Sequence, residues 1–143
     1  MTELRIDFSE EAIMSSSDVT ETLFSNKKTR VAARILLRWL KERNGQASKN
    51  AVSNFADMLA SGKFSVNGSA FRYSRRNFYL TVLRSLVSAG FVGRNVPAWD
   101  GRLKRTQHVY MRNIFDIPRK APSVGFWRLA YFICRKWNNS FRN

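Results

Sequence analysis

Residues 71–112 read FRYSRRNFYLTVLRSLVSAGFVGRNVPAWDGRLKRTQHVYMR, the pattern of a polar, basic helix that runs straight into a basic hairpin. Nine cations fall between Arg72 and Arg112 (Arg72, Arg75, Arg76, Arg84, Arg94, Arg102, Lys104, Arg105, Arg112) against one acid, Asp100. Apolar residues recur among them at structural spacing, which a solvated tail would lack, so the stretch reads as a folded cationic surface.

Ser74 is placed to cap the helix. With an advance of about 100° per residue, Tyr79, Leu80, Leu83, Leu86 and Val87 project to one side and form its expected core face. The other side presents Asn77, Thr81, Arg84, Ser85 and Ser88, hydrogen-bonding groups without an acid among them. Arg75 and Arg76 occupy the first turn, where cations oppose the macrodipole; phosphate binding at that end would account for them. Gly90 closes the helix over 74–89. Phe91 and Val92 lead into a strand, residues 97–104 form a loop around Asp100-Gly101, and 106–111 read as the return strand.

Upstream, residues 28–43 form a helix, because Val31, Ala32, Ile35, Leu36, Trp39 and Leu40 recur at the spacing of one face. Asn26 or Thr29 caps its start, Asn44-Gly45 supplies a left-handed stop, and its many cations read as a solvated flank, with backbone-phosphate contact as the alternative. A further helix begins near Ser48 or Asn50 and ends at Gly62, with Ala51, Val52, Phe55, Met58 and Leu59 on its apolar side. Asn67-Gly68, flanked by Phe64, Val66 and Phe71, marks a small hairpin or extended loop between this helix and Ser74.

The termini differ in character from the centre. Residues 1–26 carry six acids and one base, a net −5, while the remainder carries 24 bases and four acids, a net +20. This acidic arm, with its serine-rich centre, reads as a flexible leader that is also able to lie over the basic surface. At the other end, Pro118 and Pro122 mark a linker into SVGFWRLAYFICRKWNNSFRN, a helix apolar on nearly every side from Phe126 to Cys134. Its cover is either the chain's own helix over 28–43 or a second copy in a two-fold contact; insertion into a membrane surface is a lesser alternative. The expected division is an arm over 1–26, a domain over 27–115, and a linker with an aromatic helix over 116–143.

With 143 residues, 44% of them hydrophobic, the chain can fill one compact core, and a net charge of +15 attracts polyanions. One cysteine, Cys134, and one histidine, His108, exclude a disulfide framework and disfavour a protein-built transition-metal site. His108 lacks a partner pattern for nucleophilic catalysis, and the four acids after residue 26 are scattered, so neither an enzyme nor a bound cofactor or small-molecule substrate is expected. No run reaches the roughly 18 apolar residues of a membrane span, and the start of the chain shows no secretory pattern. The expected setting is cytoplasmic, whether at a nucleoid or inside a virus-infected cell.

The series Leu83-x-x-Leu86-x-x-x-Gly90-Phe91-Val92, followed by a basic two-stranded hairpin, resembles the winged helix-turn-helix family of DNA-binding domains over roughly residues 28–113. The resemblance implies a mainly α, α+β fold with a two-stranded basic wing, here with an extra C-terminal helix. It also implies that the third helix lies in the major groove and that the wing, over 91–112, touches the minor groove or the backbone. By position, Asn77, Thr81, Arg84 and Ser85 would contact base edges or phosphates, Arg75 and Arg76 first-turn phosphates, and Arg102, Lys104 and Arg105 the wing-tip contacts, with Arg94 nearer the wing's base. The long connection over 62–73 departs from the three or four residues of a strict helix-turn-helix. The implied partner is double-stranded DNA, bound by a sequence-specific or architectural regulator that dimerises through its C-terminal helix. RNA or single strands, favoured by Tyr73, Phe78, Tyr79 and Trp99 among arginines, and a protein-interaction module are the alternatives.

Overall fold

The computed structural model describes residues 10–16, 18–94, 109–123 and 125–141. In chain order they form α1 (Glu10–Ser15), α2 (Val19–Leu23), α3 (Lys27–Glu42), β1 (Gln46–Ser48), α4 (Lys49–Ser61), β2 (Phe64–Val66) and β3 (Ser69–Phe71). A continuous helix over 75–88 comes next, then β4 (Val92–Arg94), β5 (Val109–Arg112) and the C-terminal helix α7 (Gly125–Asn139). The architecture is α+β: helices pack around two small antiparallel sheets, one ordered β1-β5-β4 and the other β2-β3.

Local chemistry sets the boundaries of the central helices. The Asn26 side chain accepts from the Thr29 backbone N–H at the start of α3, and Ser48 does the same for Ala51 at the start of α4. Asn44 and Gly45 turn left-handed after α3, and Gly62 (φ 81°) ends α4 in the same way. Asn67 (φ 53°) and Gly68 (φ 80°) make the tight turn between β2 and β3. The connection over 62–73 is thus an inserted hairpin, anchored by Phe64 and Phe71 against the core.

Phe55 of α4 is the hub of that core. Its ring lies 4.7 Å from Trp39, 5.2 Å from Phe64 and 5.3 Å from Phe78, so one side chain ties α3, the inserted hairpin and the helix over 75–88 together. Full burial of such a ring contributes on the order of 1.5–3 kcal/mol. Strand β1 has no periodic signature and was not expected from sequence. It exists because Gln46, Ala47 and Ser48 pair with Met111, Tyr110 and Val109, which makes β5 the central strand.

The helix over 75–88 departs from a plain α-helix. It is α-helical over Arg75–Asn77 (α5), π-helical over Phe78–Leu83 and α-helical again over Arg84–Ser88 (α6), with the Arg84 N–H donating to the Tyr79 carbonyl five residues back. An α-helix drifts about 40° for every four residues, whereas the wider π turn winds less per residue and cancels part of that drift. Rows four residues apart therefore stay aligned. Phe78, Val82 and Leu86 are fully buried, Thr81 and Ser85 are buried beside them, and Leu80 is 36% exposed. The expected core face is corrected accordingly: Leu83 and Leu86 are core, Tyr79 and Val87 are half-buried, Leu80 faces outward, and Phe78 and Val82 carry the packing.

The acidic arm is also corrected. From Glu10 onward it forms α1 and α2, and Ile13, Val19, Leu23 and Phe24 enter the core; residues 1–9 lie outside the described part. Asp18 caps α2 and meets Arg34 of α3 at 2.7 Å, so this acid sits on a flank of α3 instead of over the helix at 75–88. α1 and α2, neither of them among the covers that the sequence suggests, in turn pack against the aromatic helix α7. Phe132, Ile133, Trp137 and Asn138 of α7 are buried, and the Trp137 indole donates to the Asn113 carbonyl at 2.6 Å. Asn138 accepts from the Phe115 N–H and donates to its carbonyl, both at 2.9 Å, while Lys136 reaches Ser16 Oγ at 2.6 Å. Among the described residues, no helix is long and apolar enough to cross a membrane.

Candidate nucleic-acid interface

Because the π stretch holds a four-residue period, the helix over 75–88 presents one outward row: Arg76, Leu80, Arg84 and Ser88, with Asn77 beside its first member. All five are exposed. Ser74 fixes the start of the row by accepting from the Asn77 N–H at 3.1 Å, and Gly90 (φ 85°) fixes its end by turning the chain into β4.

Two clefts flank this row. On one side a cleft of about 330 Å³ opens between the helix and the strands, lined by Tyr79, Leu80, Leu83, Arg84, Val87, Ser88, Arg94 and Tyr110. On the other, Arg76, Asn77, Leu80 and Thr81, with Tyr73 just before their helix, face Asn26, Lys28 and Thr29 at the start of α3. Among the described residues no acid lines either cleft, so each combines guanidinium or ammonium groups with neutral polar and apolar walls. Lys28, read from sequence as part of a solvated flank, stands here across from Arg76. The four-residue recurrence of Arg76, Leu80, Arg84 and Ser88 was visible in the sequence; its significance depends on the π turn, which no sequence pattern announces.

The residues singled out from sequence separate into four groups. Arg76, Asn77 and Arg84 share the outward row, and Arg94 stands at the cleft beside it. Thr81 and Ser85, at 6% and 9% exposure, belong to the interior rows and leave little surface for base edges. Arg75 is engaged within the fold: its guanidinium donates to Asp57 at 2.8 Å, to the Ser53 carbonyl at 3.0 Å and to Ser53 Oγ at 2.9 Å, and it lies 5.1 Å from the Tyr79 ring centre. That geometry clamps α4 to the start of the outward helix and turns the donors away from a first-turn phosphate. Arg102, Lys104 and Arg105 lie outside the described residues, as do Trp99, the loop at Asp100-Gly101, and His108.

Tyr110 is central to the strand side of the site. It pairs with Arg94 across β4 and β5 and with Ala47 across β1. Burial raises its phenol pKa, Arg94 opposes that rise, and the neighbouring Tyr79 adds to it. The neutral phenol thus prevails at physiological pH and can donate as well as accept. Away from this face, burial pushes the Cys134 thiol up, which disfavours the reactive thiolate. No three His, Cys, Asp or Glu side chains gather to hold a metal ion among the described residues.

No protein-family model, curated protein or solved structure matches the chain.

Proposed function

We propose that the chain is a winged helix-turn-helix protein that binds double-stranded DNA inside the cell as a sequence-specific or architectural regulator, acting by binding and not by catalysis. The helix over 75–88 enters the major groove and the β4–β5 hairpin follows the adjacent backbone or minor groove. The observation that carries this reading is the outward row Arg76, Asn77, Leu80, Arg84 and Ser88, bordered by two basic clefts that no described acid lines. A helix of this kind supplies donors to base edges in a groove wide enough to admit it, while the surrounding cations meet phosphates. The order of three packed helices followed directly by a hairpin, with a glycine at the junction, supports the same reading.

A second copy is part of the proposal. One half of α7 is held within the fold by Phe132, Ile133 and Trp137, but Phe126 and Trp127 at its start are 58% and 70% exposed. An exposed aromatic end on an otherwise anchored helix suits a two-fold contact that brings two outward rows to one duplex.

Selection from random duplexes at near-physiological salt tests the reading. Enrichment of a palindromic or half-site motif is expected, and Arg84→Ala should flatten the preference at one base position. Failure to retain any duplex would overturn it.

A further inference from the structure

A convex row of side chains reads a paired duplex from outside, but the cleft between the helix over 75–88 and the strands is a recess. Its lining combines apolar Leu80, Leu83 and Val87 with two phenol rings (Tyr79, Tyr110) and with Arg84, Arg94 and Ser88. At about 330 Å³ it lies at the lower end of the range for small-ligand sites. A base that remains paired and stacked cannot enter such a recess. An unstacked one presents a flat π face to a ring and carries a phosphate on each side.

We propose that this cleft receives a single unpaired base of the bound nucleic acid, stacked against Tyr110 and Tyr79, with the flanking phosphate held by Arg94. The proposal rests on the nucleic-acid reading above and adds to it a preference for duplexes that carry an unpaired or mismatched position. Two features prepare the site. Tyr79 is steadied by the Arg75 guanidinium, which Asp57 and Ser53 hold in place. Tyr110 lies on the central strand of its sheet, paired on both sides, so the backbone that carries its ring is fixed before any ligand arrives. Extruding a paired base costs a few kcal/mol, and much less where the base already lacks a partner. The site therefore discriminates in favour of distorted duplexes.

The test uses the full chain and three duplexes of equal phosphate number: one fully paired, one with a single unpaired thymine, and one with a single unpaired abasic site. The unpaired thymine should bind roughly tenfold tighter than the abasic site, the scale of one base stacked on an aromatic ring. Tyr110→Leu, which keeps an apolar side chain against the core, should bring those two duplexes together. Equal binding of thymine and abasic duplexes by the unaltered chain, with the paired duplex still bound and salt-sensitive, overturns the cleft proposal and leaves the DNA reading standing. No binding to any of the three overturns both.

Discussion

Arg75 and Asp57 meet at 2.8 Å across the gap between α4 and the helix that follows the inserted hairpin. This contact orients the outward row, because Arg75 also holds Ser53 and lies against Tyr79. Both partners are substantially exposed, so the ion pair itself is screened and most of the clamp's value comes from the hydrogen bonds and ring contact. Arg75→Ala should lower unfolding free energy by about 1 kcal/mol while leaving the salt dependence of duplex binding unchanged. Urea denaturation and a salt titration on the same variant check both halves. A shallower salt slope would return Arg75 to the phosphate contacts.

Arg84 and Ser85 are sequence neighbours of opposite exposure, one outward and one buried. Arg84→Ala should cost about 1–3 kcal/mol on a preferred duplex. Ser85→Ala should leave affinity unaltered, whatever it does to stability. Fluorescence anisotropy with one labelled duplex separates the two, and equal losses would mean that the π turn does not set the outward face.

Trp137 is fully buried and donates to Asn113, so the C-terminal helix is joined to the chain leaving β5 by both packing and a hydrogen bond. Trp137→Phe removes the donor and part of the ring and leaves the Asn113 carbonyl without that donor. The expected loss is roughly 1–3 kcal/mol in a denaturant titration. Trp127→Glu, at the exposed end of the same helix, should instead leave the melting temperature near its original value and shift sedimentation from dimer to monomer.

Asp18 links pH to the attachment of α2. Burial works to raise its pKa, but hydrogen bonds from Thr20 and Arg34, together with the Arg34 charge, outweigh burial and hold it below the ordinary value. A depressed folded-state pKa stabilises the fold above the unfolded value of about 3.9, and the contribution is lost as pH falls through the folded value. Asp18→Asn should therefore flatten the acid limb of the stability curve and lower stability at neutral pH. Thermal melts between acid and neutral pH follow it directly, and an unchanged acid limb would contradict the assignment.

Much of this fold is written in short-range chemistry. Asn26, Ser48 and Ser74 announce helix starts; Asn44-Gly45, Gly62 and Gly90 announce stops; Asn67-Gly68 announces a hairpin. Each works through its own backbone and needs no distant partner. What escaped the sequence depends on contacts far along the chain. β1 is three residues long and is a strand only because β5 lies beside it. The acids of residues 10–24 suggest solvent, while Ile13, Val19, Leu23 and Phe24 acquire their role from α3 and α7. The candidate site was half legible for the same reason. Asn77 and Arg84 lie outward under either helical period, but Thr81, Ser85 and Leu80 exchange sides once six residues adopt the π turn.

The most direct measurement compares salt slopes of duplex binding for charge-matched variants on different faces. The unaltered chain, engaging about six to ten phosphates per dimer, should give a log–log slope of about −5 to −9. Arg76→Ala with Arg94→Ala, one cation from each cleft, should make it shallower by about one unit per phosphate contact removed. Arg38→Ala with Arg135→Ala, exposed cations that line neither of the two clefts beside the outward row, should leave it unchanged. Equal effects from both pairs would mean that the charge acts diffusely, and would contradict an interface centred on the helix over 75–88.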